Sequence, residues 1–316
     1  MTPLSAALAL MLLLPVAQAG GSPQERDAII KSASAAVSAG RRAEAKELLR
    51  GAAEKYKSVQ AYLLLARLQS AEGDASGALE TLRKARALAP NSEDVLSAFA
   101  QVSLAARMPL PAIDTLRSLV RLCPTVAQYQ YLLGVGLLSA GDALSAVAPL
   151  TKADELEADR PQTLTALGLA YNNQKLFADA KTRLTRSLEL DPENVDTLAA
   201  LAEAEAGGGD TAAAETHAAR ALAKTPTHAT ANLVIGMVRM TQQRYPEARD
   251  ALLAAAAADP HSPKPEYQLS LVFARLGDEA TAQRHVDLYR EKLREMEQAI
   301  KALHQGATTA RASGRQ

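Results

Sequence analysis

Residues 187–202 read SLELDPENVDTLAALA, and the proline in this stretch is the most informative residue for the fold. A helical pattern stops at Asp191 and Pro192, and another begins a few residues later. Proline lacks a backbone N–H, and its ring clashes with the preceding helical turn, so it does not belong inside one long helix. We therefore interpret Pro192 as the boundary between two helices.

The proline recurs at a fixed period of 34 residues. Counting from Pro192 in both directions reaches, in chain order, Pro90, Pro124, Ala158, Pro226 and Pro260. Only Ala158 departs from proline, and chance placement of 15 prolines in 316 residues does not produce such a series. A constant period of this length is the signature of a protein built from structural repeats.

Two further features keep the same period. Glycine suits the end of a helix and aspartate the N-cap of the next one, and this pair recurs 17 residues before the proline position as Gly73-Asp74, Gly141-Asp142, Gly209-Asp210 and Gly277-Asp278. An alanine falls at one register in every repeat, at Ala78, Ala112, Ala146, Ala180, Ala214, Ala248 and Ala282. Each repeat is therefore predicted to be a helix, a tight turn, a second helix and a proline turn, in an all-α chain.

This pattern resembles the tetratricopeptide repeat (TPR) family. Residues 161–194 match the family's motif best, through Leu164, Leu167, Gly168, Tyr171, Ala180, Leu184 and Pro192. The resemblance implies a right-handed solenoid of about seven to eight helix-turn-helix repeats. Seven repeats of 34 residues are expected over residues 59–296, numbered here from the one that begins at residue 59, and a degenerate repeat is expected at 26–58.

The beginning of the chain has the layout of a secretory signal peptide. A short apolar segment over residues 6–14 is followed by Pro15 and by Ala17-Gln18-Ala19, a small-x-small cleavage site. We expect residues 1–19 to be removed after Ala19, which makes the mature chain periplasmic or secreted. An uncleaved anchor is the alternative, because no Lys or Arg precedes the apolar segment. No transmembrane helix is expected in the mature chain.

The end of the chain is predicted to be one long helix over residues 280–304. Its apolar residues are spaced three and four apart, at Val286, Tyr289, Leu293, Met296, Ile300 and Leu303. Such a stripe either caps the last repeat or joins two copies of the chain as a homodimer. Residues 305–316 are predicted to be a disordered tail.

The first helix of each repeat carries a second stripe that the repeat motif does not use. In the TPR family this stripe lines a concave groove that holds partner peptides, so the resemblance implies a protein or peptide partner. The groove residues expected here are Tyr131, Val135, Leu138, Leu169, Asn172, Leu233, Met237 and Tyr267. Asn172 is expected to pair with the backbone of an extended ligand. The alternative is that these residues pack between neighbouring helices.

No residue pattern in the chain indicates catalysis. The five histidines are scattered and the single cysteine has no metal-ligand spacing, so we expect no catalytic residue, no metal and no cofactor. Lys and Arg number 35, as do Asp and Glu, and such a neutral chain has no general attraction for phosphates, so no nucleic acid partner is expected.

These observations predict a non-catalytic protein-binding scaffold or adaptor. Together with the signal peptide, they favour a role in assembling a cell-envelope or secretion complex. Two other functions stay open at this point. One is an accessory subunit of a polysaccharide-handling or other enzyme system whose activity resides in a partner, and the other is a self-assembling structural array.

Overall fold

The computed structural model describes residues 22–313, with side chains for residues 22–305, and every regular element in that range is an α-helix. The helices are α1 (Pro23–Ser38), α2 (Arg42–Tyr56), α3 (Val59–Ala71), α4 (Ala75–Leu88), α5 (Glu93–Ala105), α6 (Pro109–Leu122), α7 (Ala127–Ser139), α8 (Ala143–Leu156), α9 (Pro161–Asn173), α10 (Phe177–Leu190), α11 (Val195–Gly207), α12 (Thr211–Lys224), α13 (Ala229–Thr241), α14 (Tyr245–Ala258), α15 (Lys264–Arg275) and α16 (Glu279–Ser313). The predicted all-α class is confirmed. The expected signal peptide lies outside the described residues.

The chain divides into an N-terminal part, residues 1–95, and a C-terminal part, residues 96–316. In the N-terminal part, α1 packs against α2 and α3 against α4. In the C-terminal part, α7 packs against α8, and this pairing continues through α15 and α16. Successive first helices begin 34 residues apart, at Val59, Glu93, Ala127, Pro161, Val195 and Ala229.

The turn between paired helices depends on one residue with a left-handed backbone. Glycine adopts this conformation without steric cost, and it does so with φ of 81–91° at Gly73, Gly141, Gly209 and Gly277. The intervening repeats place Arg107, Lys175 and Gln243 at the same position, with φ of 55–60°. The turn is therefore imposed by the helix pair, since it forms even where the residue has a side chain.

The turn between repeats also keeps one geometry. The second helices end two residues before the proline position, at Leu88, Leu122, Leu156, Leu190, Lys224 and Ala258. The residue before each proline is held away from the α region, as it is at Asp191 with φ of −137°. In the third repeat, where Ala158 replaces proline, α8 ends at the usual place but Asp159 takes φ of 59° before Pro161 opens α9.

In three repeats, a glycine on the first helix faces a leucine on the second at very short range. The pairs are Gly134–Leu150, Gly168–Leu184 and Gly236–Leu252. A Cβ atom added to any of these glycines would lie 2.3–2.5 Å from the leucine Cγ, far inside a normal carbon–carbon contact. Each leucine is fully buried, as is the alanine one turn before it, so this contact closes the core of its repeat.

Gly168→Ala should therefore destabilise the chain by about 1–3 kcal/mol, because the added methyl group overlaps Leu184. Helix propensity alone would predict the opposite, since alanine is favoured over glycine by about 1 kcal/mol in a helix. Gly51→Ala is the matched control: Gly51 lies in α2 with no atom within 4 Å of its Cβ position, so its replacement should stabilise by about 0.5–1 kcal/mol. Denaturant unfolding of both variants measures the difference, and shifts of the same sign would contradict the packing argument.

Candidate functional site

The first helices of the C-terminal part form one continuous face. Each of α7, α9, α11, α13 and α15 contacts the next one in this series, in addition to its own paired helix. We call the solvent-accessible residues of these five helices the inner face. This is the surface on which the predicted groove residues are expected to lie.

Six of the eight predicted groove residues keep part of their surface accessible on the inner face: Tyr131, Val135, Leu138, Leu169, Met237 and Tyr267. Tyr267 is the most open of them, with 47% of its surface exposed. Tyr131 is half-buried against a large hydrophobic cluster. Burial raises the pKa of the Tyr131 phenol, and the positive charge of Arg160 counteracts part of that rise.

The other two predicted residues, Asn172 and Leu233, lie in the interior, which corrects the prediction for them. Asn172 is 4% exposed, and its Nδ2 donates to the carbonyl oxygen of Ala200 at 2.8 Å, so it ties α9 to α11. Leu233 is 5% exposed and packs in a cluster with Leu252 and Leu269. Because neighbouring first helices touch directly, stacking of the repeats buries part of the second stripe. For these two residues the alternative interpretation, packing between neighbouring helices, is the correct one.

A hollow of about 280 Å³ opens at the C-terminal end of α13, where the inner face meets the beginning of α12. It is lined by Ala206, Thr211, Met237, Val238, Met240, Thr241 and Gln268. Methionine side chains are flexible and polarisable, so they adapt to apolar groups of different shapes. The hydroxyl and amide groups at the edge can hydrogen-bond a peptide backbone. Met237 is one of the predicted groove residues, and Met240 belongs to the same predicted stripe of the sixth repeat. Met240 lies three residues further along the same helix face.

An ion pair crosses the inner face between two helices that are not sequence neighbours. Lys264 of α15 donates from Nζ to Glu203 Oε1 of α11 at 2.5 Å. Helix α13 lies between these two helices in the series of first helices. Glu203 is largely buried, with 12% of its side chain exposed, whereas Lys264 is 41% exposed. The two charges neutralise each other, so the pair adds no net charge to this part of the inner face.

The last helix, α16, is fixed to α15 by a partly buried polar cluster. Glu266 of α15 accepts from Lys292 Nζ at 2.6 Å and contacts His285 Nδ1 at 2.7 Å. The His285 ring stacks on Phe273, with the ring centres 5.3 Å apart. Burial raises the pKa of Glu266, but the hydrogen bonds and charges of Lys292 and His285 lower it by more, so the pKa lies below its usual value.

The apolar stripe of α16 is partly covered within the same chain, and it extends well beyond the seventh repeat. Tyr289 contacts Tyr267 of α15, with ring centres 5.5 Å apart. Further along, Met296 packs on Gly141 in the third repeat, and Leu303 is 3% exposed in the cluster that includes Leu137. The helix is thus more than a cap on the last repeat, and its stripe is partly covered within the chain, with Leu303 buried.

The helix also continues to Ser313, instead of ending near residue 304 before a disordered tail as predicted. Residues 306–313 include three alanines, the residue type with the highest helix propensity. The prediction gave too much weight to the polar composition of this segment.

The described residues contain no group of three or more His, Cys, Asp or Glu side chains placed to hold a metal ion. Within residues 22–313, no helix combines the length and apolar character needed to cross a membrane. Four of the five histidines instead contact a carboxylate: His217 with Glu205, His228 with Asp196, His285 with Glu266 and His304 with Asp142.

Glu266→Gln should lower the free energy of unfolding by about 1–3 kcal/mol at pH 7, because Lys292 is left partly buried without its counter-charge. The lowered carboxyl pKa means that the ion pair stabilises the fold above the ordinary value of 4.5, and that this contribution disappears as the pH falls through the lowered pKa. The difference from the wild type should therefore narrow as the pH falls below 4.5 and through the lowered pKa. Glu291→Gln, an exposed change on α16, is the control and should have little effect. A deficit in Glu266→Gln that stays constant with pH would contradict the ion-pair argument.

Comparison with known proteins agrees with the fold. No curated protein matches the sequence. Among solved structures, a tetratricopeptide repeat protein from Parabacteroides merdae aligns with a TM-score of 0.64 and 14% identity, over 79% of this chain and 99% of that one. PilW, a type IV pilus biogenesis factor, aligns with a TM-score of 0.54 and 18% identity, over 68% of this chain and 98% of its own. A chain of the APC/C Cut9–Hcn1 hetero-tetramer aligns with a TM-score of 0.58 and 17% identity, over 73% of this chain and 48% of that one.

The sequence itself matches a family model described as "Tetratricopeptide repeat" over residues 30–93, 165–227 and 199–263. These matches cover just over half of the 316 residues and fall in both parts of the chain. Together with the helix pairs repeating every 34 residues, they show that the chain belongs to the tetratricopeptide repeat family.

Proposed function

We propose that this chain is a non-catalytic scaffold that binds a segment of a partner protein on its inner face. Family membership supports the general role, since repeat arrays of this kind present extended binding surfaces. The observation that carries the proposal is the methionine-lined hollow around Met237. It is an apolar recess with polar edges on a face that the repeats do not fully use for their own packing.

The chemistry of this surface favours a partner segment with an apolar anchor. Met237 and Met240 can close around an aliphatic or aromatic side chain. Thr211 and Gln268 supply hydrogen-bonding groups at the rim for the backbone that carries it. Because Lys264 and Glu203 neutralise each other nearby, recognition does not depend on a strongly charged partner.

We further propose that the chain is exported and acts in the assembly of a cell-envelope or secretion complex. The apolar segment and the Ala17-Gln18-Ala19 site support export. The type IV pilus biogenesis factor PilW has a similar fold, but at 18% identity this likeness does not extend to its partners. Photo-crosslinking from position 237 in the native cells, followed by mass spectrometry, would identify the bound partner.

Met237→Ala and Tyr267→Ala should weaken binding of the crosslinked partner, measured by calorimetric titration, by about tenfold or more, since buried anchors contribute about 2 kcal/mol or more at an interface. Their melting temperatures should change little, because both side chains are partly exposed. Leu253→Ala is the control: Leu253 lies on α14, the second helix of the sixth repeat, and is 43% exposed. A large loss of thermal stability with unchanged affinity would show that the inner-face residues serve only the fold.

N-terminal sequencing of the protein purified from its native cells tests export. The mature chain should begin at Gly20, because the small side chains of Ala17 and Ala19 fit a signal peptidase site. Full-length protein that begins at Met1 and sediments with membranes would contradict cleavage and support an anchor.

A further inference from the structure

The four Gly-Asp turns provide a comparison within one chain, because they share sequence and geometry but not surroundings. In three of them the aspartate is exposed, at Asp74, Asp210 and Asp278. In the third repeat Asp142 is only 5% exposed. The glycines behave in the same way: no atom lies within 4 Å of the Cβ positions of the other three, whereas Met296 Cγ lies 2.8 Å from that of Gly141.

The Gly141-Asp142 turn of the third repeat is covered by the distal segment of α16, which we define as residues 293–305. Met296 and Ile300 lie over Gly141, and Leu303 is buried beside them in the cluster that contains Leu137 and Ala140. At the residue that follows Leu303, His304 Nε2 contacts Asp142 Oδ2 at 2.7 Å. Asp142 still caps α8, since its other oxygen accepts from the Ser145 N–H at 3.1 Å.

The polar contact of the distal segment is more exposed than the polar cluster that fixes the preceding part of α16. Residues 279–292 are fixed by the Glu266 cluster, in which Lys292 and His285 are each 15% exposed. In the distal segment, the His304 side chain is 55% exposed, and a shallow hollow of about 440 Å³ runs along the helix beside it. The segment lies toward the C-terminal end of α16, where a helix frays unless tertiary contacts hold it.

We propose that the surface around the Gly141-Asp142 turn is a docking site for an amphipathic helix, and that residues 293–305 are its resident, displaceable occupant. The site takes a helix with apolar residues at spacings of four and three, followed by a hydrogen-bond donor or cation. Met296, Ile300, Leu303 and His304 meet that description within this chain. A partner helix with the same pattern fits the same surface once the distal segment leaves it.

Gly141 and Asp142 give the site its selectivity. The glycine leaves room for Met296, so a side chain at position 141 would push the helix away. The aspartate places a negative charge opposite position 304 of the docked helix, where a cation or a hydrogen-bond donor is favoured. An acidic residue at the position of His304 would therefore be rejected.

Hydrogen exchange on the full-length chain tests whether the distal segment docks independently. Asp142→Asn keeps a good N-cap but removes the charge that faces His304. Backbone amides of residues 293–305 should exchange about fivefold or more faster in this variant, while those of 279–292 are unchanged. Asp74→Asn, at the equivalent exposed turn, is the matched control and should leave α16 unaffected. Equal acceleration along the whole of α16, or none, would overturn the proposal.

Competition with a synthetic peptide tests the docking site without any natural partner. The probe is a fluorescent peptide of residues 288–305, LYREKLREMEQAIKALHQ, titrated into the full-length chain. The double variant Leu303→Ser with His304→Ala weakens the resident segment but leaves the site intact. It should bind the peptide about tenfold more tightly than the wild type does, because less of the site is occupied.

Adding Asp142→Asn to the double variant should reduce peptide binding again, whereas adding Asp74→Asn should not. Circular dichroism would verify that each variant keeps its helix content. Peptide affinity that is the same for the wild type and the double variant would overturn the proposal, as would binding that is insensitive to Asp142. Neither result would bear on the inner-face partner, because the peptide assay does not involve the Met237 hollow.

Discussion

Three repeats depend on a close contact between a glycine on the first helix and a leucine on the second, whereas the other repeats place Ala66, Ala100, Ala202 and Ser270 at the position of the glycine. At Gly168 a single Cβ atom would come within 2.3 Å of Leu184. This approach fixes the distance between paired helices, and the turn must then close over a short span with one left-handed residue. The non-glycine residues Lys175 and Gln243 accept that conformation, with φ of 60°, although it is disfavoured for them. Helix packing thus outweighs the local backbone preference.

Around this fixed contact, individual repeats vary by compensating pairs. In several repeats, one position on the first helix contacts the position 12 residues later on the second helix. It holds a Gln69–Thr81 hydrogen bond, a Glu205–His217 hydrogen bond, or His285 stacked on Phe273. Buried polar groups are costly unless paired, so in the first and fifth repeats the polar residue on one helix is matched by a partner on the other. This explains how one fold accommodates repeats with little sequence in common.

The fold could be predicted from the sequence because its constraints are local. A proline or a Gly-Asp pair marks a turn within a few residues, and the 34-residue period makes each observation reinforce the next. The site was harder to predict, because it depends on contacts between repeats. Asn172 and Leu233 lie on the stripe left free by the motif, yet direct stacking of α9 on α11 and of α13 on α15 buries them. The reach of α16 from residue 304 to residue 142 spans 162 positions, and no periodic pattern reports a contact that distant.

The inner face and the α16 docking site follow from the same architecture. The packing of the repeats leaves the inner face accessible, whereas the docking site is covered by α16. The account therefore depends most on the glycine–leucine contact. A double-mutant cycle of Gly168→Ala and Leu184→Ala, measured by denaturant unfolding, tests it directly. If the glycine exists to admit the leucine, truncating Leu184 should relieve the clash, and the double variant should be more stable than the sum of the single changes by about 1 kcal/mol or more. Additive effects would contradict the claim that this contact sets the helix spacing.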